Sequence, residues 1–241
     1  MTPDLARRAV AEAVGTALLV LAVIGSGIAA SRLSSDVGLQ LMANAAATAG
    51  ALIAIILAVG PVSGAHLNPA VTMADRVFGG LTTSEAAVYC ASQVVGGAVG
   101  ALVANVMFSL PAVAFSSHSR SSGALWTSEV VATFGLLLVI FGVVRSGRST
   151  VAPFAVGAYI GGAYFFTSST SFANPAVTLA RTLSDTFSGI DPASVPAFVL
   201  AQLAGAGLAI ALVRLLYPSI AEVASAVVLP RETSVTQRGS D

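Results

Sequence analysis

The sequence predicts an all-α membrane protein with six transmembrane helices and two re-entrant half-helices, arranged as two inverted repeats. Three observations carry that prediction. The chain is 56% hydrophobic and only 9% charged, against about 25% charged residues in a soluble domain. Six apolar runs are each long enough to cross a bilayer. The string Asn-Pro-Ala-Val-Thr occurs twice, at Asn68–Thr72 and Asn174–Thr178, 106 positions apart.

A spanning helix needs about 20 apolar residues. The qualifying runs lie near 9–30, 39–60, 86–110, 126–144, 151–170 and 195–217. Ala9 to Ala30 is too long for the apolar core of a cleaved signal and reads as the first span. The linkers Ser31–Gly38, Pro111–Gly123, Arg145–Thr150 and Ser184–Pro196 are polar or turn-rich. Gly is frequent, at 23 residues, which suits close helix packing in lipid. Cys90, the single cysteine, lies in an apolar segment and reads as a small packing residue.

Two stretches, Asn68–Val77 and Asn174–Leu183, each follow directly on a span. About ten helical residues rise only about 15 Å, half a bilayer. Asparagine followed by proline is a good helix start, because the side chain caps and proline sits where no N–H is needed. Both are therefore expected to be half-helices entering the membrane.

The repeat reaches beyond these strings. Glu12 and Glu129 are 117 positions apart, as are Thr16 and Thr133. Each half then holds three spans with a half-helix after the second. Repeat one covers about 8–110 and repeat two about 125–217, within one domain of 1–217; the tail 218–241 is expected to be cytoplasmic and partly disordered. An odd number of spans inverts the second half, which puts a site at the midplane between the halves. All eleven basic residues are arginine. Cytoplasmic termini would place Arg7, Arg8, Arg76, Arg145, Arg148, Arg214, Arg231 and Arg238 inside, with Arg32, Arg120 and Arg181 outside, which favours that orientation.

Irregular backbone at membrane depth must be buried or line a watery cavity. Half-helices from opposite faces would meet near the middle, their N-termini carrying unpaired N–H groups and roughly half a positive charge each. Such a waist disfavours cations and protons without a charged side chain. Asn68 and Asn174 would cap their own helices and keep an amide free for a passing solute. Pro69, Ala70, Pro175 and Ala176 complete the two tips, the alanines keeping the seam small. Glu12 and Glu129 are acids inside apolar spans, which are costly and usually face the bundle interior. They read as braces accepting loop N–H groups, or else as proton-relay groups. His66 reads as a fixed loop hydrogen-bonding group rather than a pH gate, and His118 as solvated. Asn44 and Asn105 have no neighbouring proline and read as buried polar residues.

These residues resemble the major intrinsic protein family, the aquaporins and aquaglyceroporins. The resemblance covers about 8–217 and rests on "SGAHLNPAVT", the second "NPA" and the two span-opening glutamates. It implies a pore in each subunit and a homotetramer. In the family the second string continues with arginine; here Val177 follows Ala176. Counting back from the asparagines puts the other filter positions at Thr48, Gly162 and Ser171. The expected filter of Thr48, Gly162, Ser171 and Val177 has no aromatic and no charge, and so is wide. Tyr164, Phe165, Phe166 and Phe172 are candidates to narrow it from behind. The pattern is similar to bacterial aquaglyceroporin-like channels linked to arsenic resistance. It implies passive passage of water, glycerol-like polyols, neutral metalloid acids such as arsenous acid, and methylated arsenicals, across the inner (plasma) membrane.

A water-selective aquaporin and a proton-coupled secondary transporter are the alternatives, with a structural junction protein behind them. An enzyme is not expected. The sequence holds no metal-ligand cluster, no nucleophile–histidine pairing and no phosphate-binding glycine loop. No cofactor and no metal are expected, and zero net charge gives no reason to expect a nucleic-acid partner. The expected partners are small neutral solutes, water and the lipid bilayer.

Overall fold

The computed structural model describes residues 3–219. Most of the tail expected at 218–241 lies outside the described residues. Eight α-helices follow in order: α1 (Pro3–Leu33), α2 (Val37–Ser63), α3 (Pro69–Phe78), α4 (Thr83–Met107), α5 (Gly123–Arg145), α6 (Ala152–Phe166), α7 (Pro175–Ala180) and α8 (Val195–Leu216). No strand occurs among the described residues. Six helical segments are long and apolar enough to cross a membrane: α1, α2, α4, α5, α6 with the short 3-10 turn before it, and α8 with the turn before it.

Local chemistry fixes most boundaries. Asp36 caps α2 by accepting from the Leu39 amide. Thr82 and Glu85 form a reciprocal capping box at the start of α4. Ser122 caps α5. Gly64 and Gly79 close α2 and α3 in the left-handed conformation, with φ of 87° and 94°.

The halves repeat: α1 packs on α2 and α4 as α5 packs on α6 and α8, and α2 meets α6 across the centre. The tightest crossings are backbone on backbone. A Cβ at Gly96 or Gly100 of α4 would run into the Ala13 or Ala17 carbonyl of α1, and one at Gly205 of α8 into the Val130 carbonyl of α5. The outward faces stay apolar: Leu200, Leu208, Val95 and Phe154 are all exposed, as lipid contact requires.

The second half-helix is shorter than the sequence predicts. Where Asn174–Leu183 was expected to be helical throughout, α7 holds six residues and tightens into a 3-10 turn at Arg181–Leu183. The two halves also differ at the position of the glycine cap. α3 ends on Gly79, but the residue 106 positions on is Asp185, which does not share glycine's freedom for a left-handed cap.

Candidate functional site

Each half-helix is delivered by a loop with an unusual backbone. Ala65 and Leu67 have φ of 48° and 53°, and Ser171 and Ala173 have φ of 52° and 47°. Positive φ in non-glycine residues stores strain and persists only when the surroundings hold it. A buried carboxylate does the holding in both halves. Glu12 accepts from the His66 amide at 2.9 Å, the Leu67 amide at 2.7 Å, Ser63 Oγ at 2.6 Å and Gln93 Nε2 at 2.7 Å. Glu129 accepts from the Phe172 amide at 2.9 Å, the Ala173 amide at 2.8 Å and Gln202 Nε2 at 2.6 Å. Gln93 and Gln202 each also donate to a half-helix threonine, Thr72 or Thr178, at 2.9 Å. These glutamines were missed in the sequence, although "QVVG" and "QLAG" recur in the last span of each half.

The two tips touch. Asn68 Oδ1 accepts from the Ala70 amide at 2.9 Å, and Asn174 Oδ1 from the Ala176 and Val177 amides at 3.0 and 3.2 Å. Their amide nitrogens cross over: Asn68 Nδ2 donates to the Ala173 carbonyl and Asn174 Nδ2 to the Leu67 carbonyl, both at 2.7 Å. The expectation of a wholly free amide therefore needs correction. One N–H of each side-chain amide joins the halves; the nitrogen carries a second, and both asparagines line a cavity beside the tips. Pro69 and Pro175 occupy the first helical positions, and Ala70 and Ala176 are buried in the seam.

Thr48, Ser171 and Val177 line the same cavity; Gly162 does not. Gly162 lies on the exposed face of α6, and counting back from Asn174 missed because the loop between carries no helical register. The cavity face of α6 is Val156, Ile160 and Tyr164, spaced by four. Beyond the filter positions, the cavity wall carries aromatics and a charge. Tyr164 OH sits 3.2 Å from Thr48 Oγ1, and Phe172 and Arg181 also line the cavity. Phe165 and Phe166 are exposed, 54% and 59%, and turn away.

His66 Nδ1 lies 3.1 Å from Thr72 Oγ1, and its Nε2 is 3.7 Å from Oδ2 of the buried Asp75. His118 lies in the α4–α5 loop, 54% exposed at the side chain. In that loop the Ser117 amide and hydroxyl hold the Asp185 carboxyl below the usual carboxylate range. Asn44 and Asn105 are buried and bonded to carbonyls of other segments, Val23 for the first and Leu183 for the second.

The sequence matches the family model described as major intrinsic protein over residues 1–173 and again over 164–239. The chain belongs to the major intrinsic protein family. Members are channels, not enzymes, so this is a multi-pass membrane channel for water and small solutes. It is 50% identical to aquaglyceroporin AqpS of Rhizobium meliloti (strain 1021) over 217 residues, covering 90% of this chain and 93% of that one. It is 34% identical to the probable aquaporin TIP1-2 of Oryza sativa subsp. japonica, over 66% of this chain and 67% of that one. The fold is similar to the X-ray structure of the aquaglyceroporin from Plasmodium falciparum, with a TM-score of 0.69 at 20% identity, covering 90% of this major intrinsic protein and 98% of that chain.

Proposed function

We propose that this channel passes small uncharged solutes larger than water, along with water itself. The solute class is glycerol-like polyols and neutral metalloid acids such as arsenous acid, with methylated arsenicals as the bulkiest candidates. Val177 carries the reading. It lines the cavity directly beyond the second tip, where an arginine would fill space and fix several donors; valine does neither. The resemblance to a protein named aquaglyceroporin at 50% identity supports the same class. The two asparagine tips serve as the donors that a solute oxygen meets midway, and the half-helix amides around them disfavour cations. A homotetramer in the plasma membrane with cytoplasmic termini belongs to this reading.

One observation favours a narrower filter. The Thr48–Tyr164 contact brings two cavity walls together, as a water-selective pore needs. Proton-coupled transport has less support, because the oxygens of Glu12 and Glu129 are already engaged by loop amides and glutamine.

Stopped-flow light scattering on proteoliposomes decides between them. Wild-type protein should pass water, glycerol and arsenous acid without saturation and without dependence on a proton gradient. Val177→Arg should lower glycerol and arsenous acid flux by at least about tenfold, the scale on which small steric changes discriminate, and water flux by less. Equal loss of all three would remove Val177 from the filter. Wild-type vesicles passing only water would establish the narrower reading instead.

A further inference from the structure

Among the described residues, one arginine lines the cavity. Arg181 is 2% exposed and lines it, at the end beyond Val177. Its Nε donates to the Ser188 carbonyl. Its central carbon stacks 3.4 Å from the centroid of the Phe172 ring. Its two Nη nitrogens make no hydrogen bond to any described residue, and no carboxylate lies within 4.0 Å. A guanidinium held on one side by a carbonyl and a ring, with its remaining donors unengaged at a cavity wall, is built to meet something that enters.

A second cation stands behind it. Arg120 lies 5.1 Å from the same Phe172 ring and donates through Nε to the Gly189 carbonyl. Burial pulls its guanidinium below the usual arginine range, against the opposing attraction of Glu129. The repeat sharpens the contrast. The position matching Arg181 in the first half is Asp75, 106 residues earlier, and the match of Phe172 is His66. The loops are alike in backbone, but the first half sets a buried acid beside a histidine and the second a buried base on a phenyl ring.

We propose that Arg181 is the charge barrier of this pore and a hydrogen-bond donor to solute oxygens. It stands one helical turn beyond Val177, the place where the resemblance puts the family's arginine. Four residues along a helix move a side chain by about 6 Å on the same face. The barrier therefore sits further toward the mouth, on the side of the α4–α5 loop, and leaves the space around Val177 open. Oxygen-rich neutral solutes accept from the free Nη groups while shedding water; monovalent cations meet an unpaired positive charge in a site of reduced dielectric. This separates two jobs that a single arginine would combine, excluding cations and limiting width. The proposal rests on the channel reading above.

The test uses the full chain in proteoliposomes, with proton leak read by an entrapped pH dye and water and glycerol flux by light scattering. Arg181→Gln should raise proton or potassium leak by about tenfold or more, because a unit charge is removed from a partly dehydrated path, while water flux holds. Arg181→Lys keeps the charge without the planar fork. It should keep the leak at the wild-type level and lower glycerol flux several-fold. Glutamine vesicles that conduct water with wild-type leak overturn the role of Arg181 and leave the channel proposal standing. If the glutamine variant fails to insert, the lysine variant decides: tight to protons with reduced glycerol flux supports the role, and leak or unchanged glycerol flux overturns it. Wild-type vesicles with no solute flux at all would overturn the channel proposal itself.

Discussion

At the residue scale the two glutamates hold the geometry on which the pore depends. Glu129 gathers two loop amides and one side-chain amide in a fully buried site. Those amides belong to Phe172 and Ala173, the second of which has positive φ. Removing the acceptor leaves three buried donors unpaired and also releases the strained turn. Each such loss costs about 1–3 kcal/mol, so Glu129→Ala should destabilise the protein by at least about 3 kcal/mol. Glu129→Gln should cost less, since its carbonyl still accepts, but it turns an NH₂ toward another donor. Thermal unfolding in detergent should rank wild type above Gln and Gln above Ala. An alanine variant as stable as wild type would mean that the loop holds its own shape. The same logic explains why Gln93 and Gln202 are buried without charge: each links its glutamate to the half-helix threonine.

At the element scale the helix pairs α1–α4 and α5–α8 matter most. Glycines at 96, 100 and 205 let backbones touch where any side chain would meet a carbonyl oxygen. In lipid there is no hydrophobic force between helices, so this close packing is what holds them together. Gly100→Leu and Gly205→Leu should each push a helix pair apart, at the 1–3 kcal/mol or more typical of overpacking, about one such penalty per site. Gly207→Leu, where a Cβ meets nothing within 4 Å, is the control and should unfold like wild type. A leucine at 100 or 205 no worse than one at 207 would sink the packing account. The two half-helices differ for a related local reason. α3 has its glycine cap and runs ten residues; α7 lacks one and gives way to a 3-10 turn at Arg181. Arg181, at the start of that turn, has its guanidinium over Phe172.

At the scale of the whole molecule the halves are joined at their tips and asymmetric at their ends. The α4–α5 loop and the segment after α7 lie together on one side, tied by the amides of Ala114 and Ser116 to the carbonyls of Leu183 and Thr182. Cytoplasmic termini would put this side outside the cell. In a Cys90→Ala background, a membrane-impermeant maleimide should label Ser117→Cys on intact cells and Ser146→Cys only after permeabilisation; the reverse pattern would invert the channel. The span count, the repeat, the capped half-helices and the family were all legible in the sequence. They depend on apolar run length and on short-range spacing, which the chain states directly. The filter was not. Gly162 was placed by counting through a loop, and it faces outward; Tyr164, read as one of four aromatics narrowing the filter from behind, and Arg181, read as an arginine on the outer side, both line the cavity. Residue counting fixes a direction only within one continuous helix. Which side chains meet across the pore is set by the crossing of α2, α6 and the strained second loop, and only the folded structure brings Thr48, Tyr164, Phe172 and Arg181 to one cavity.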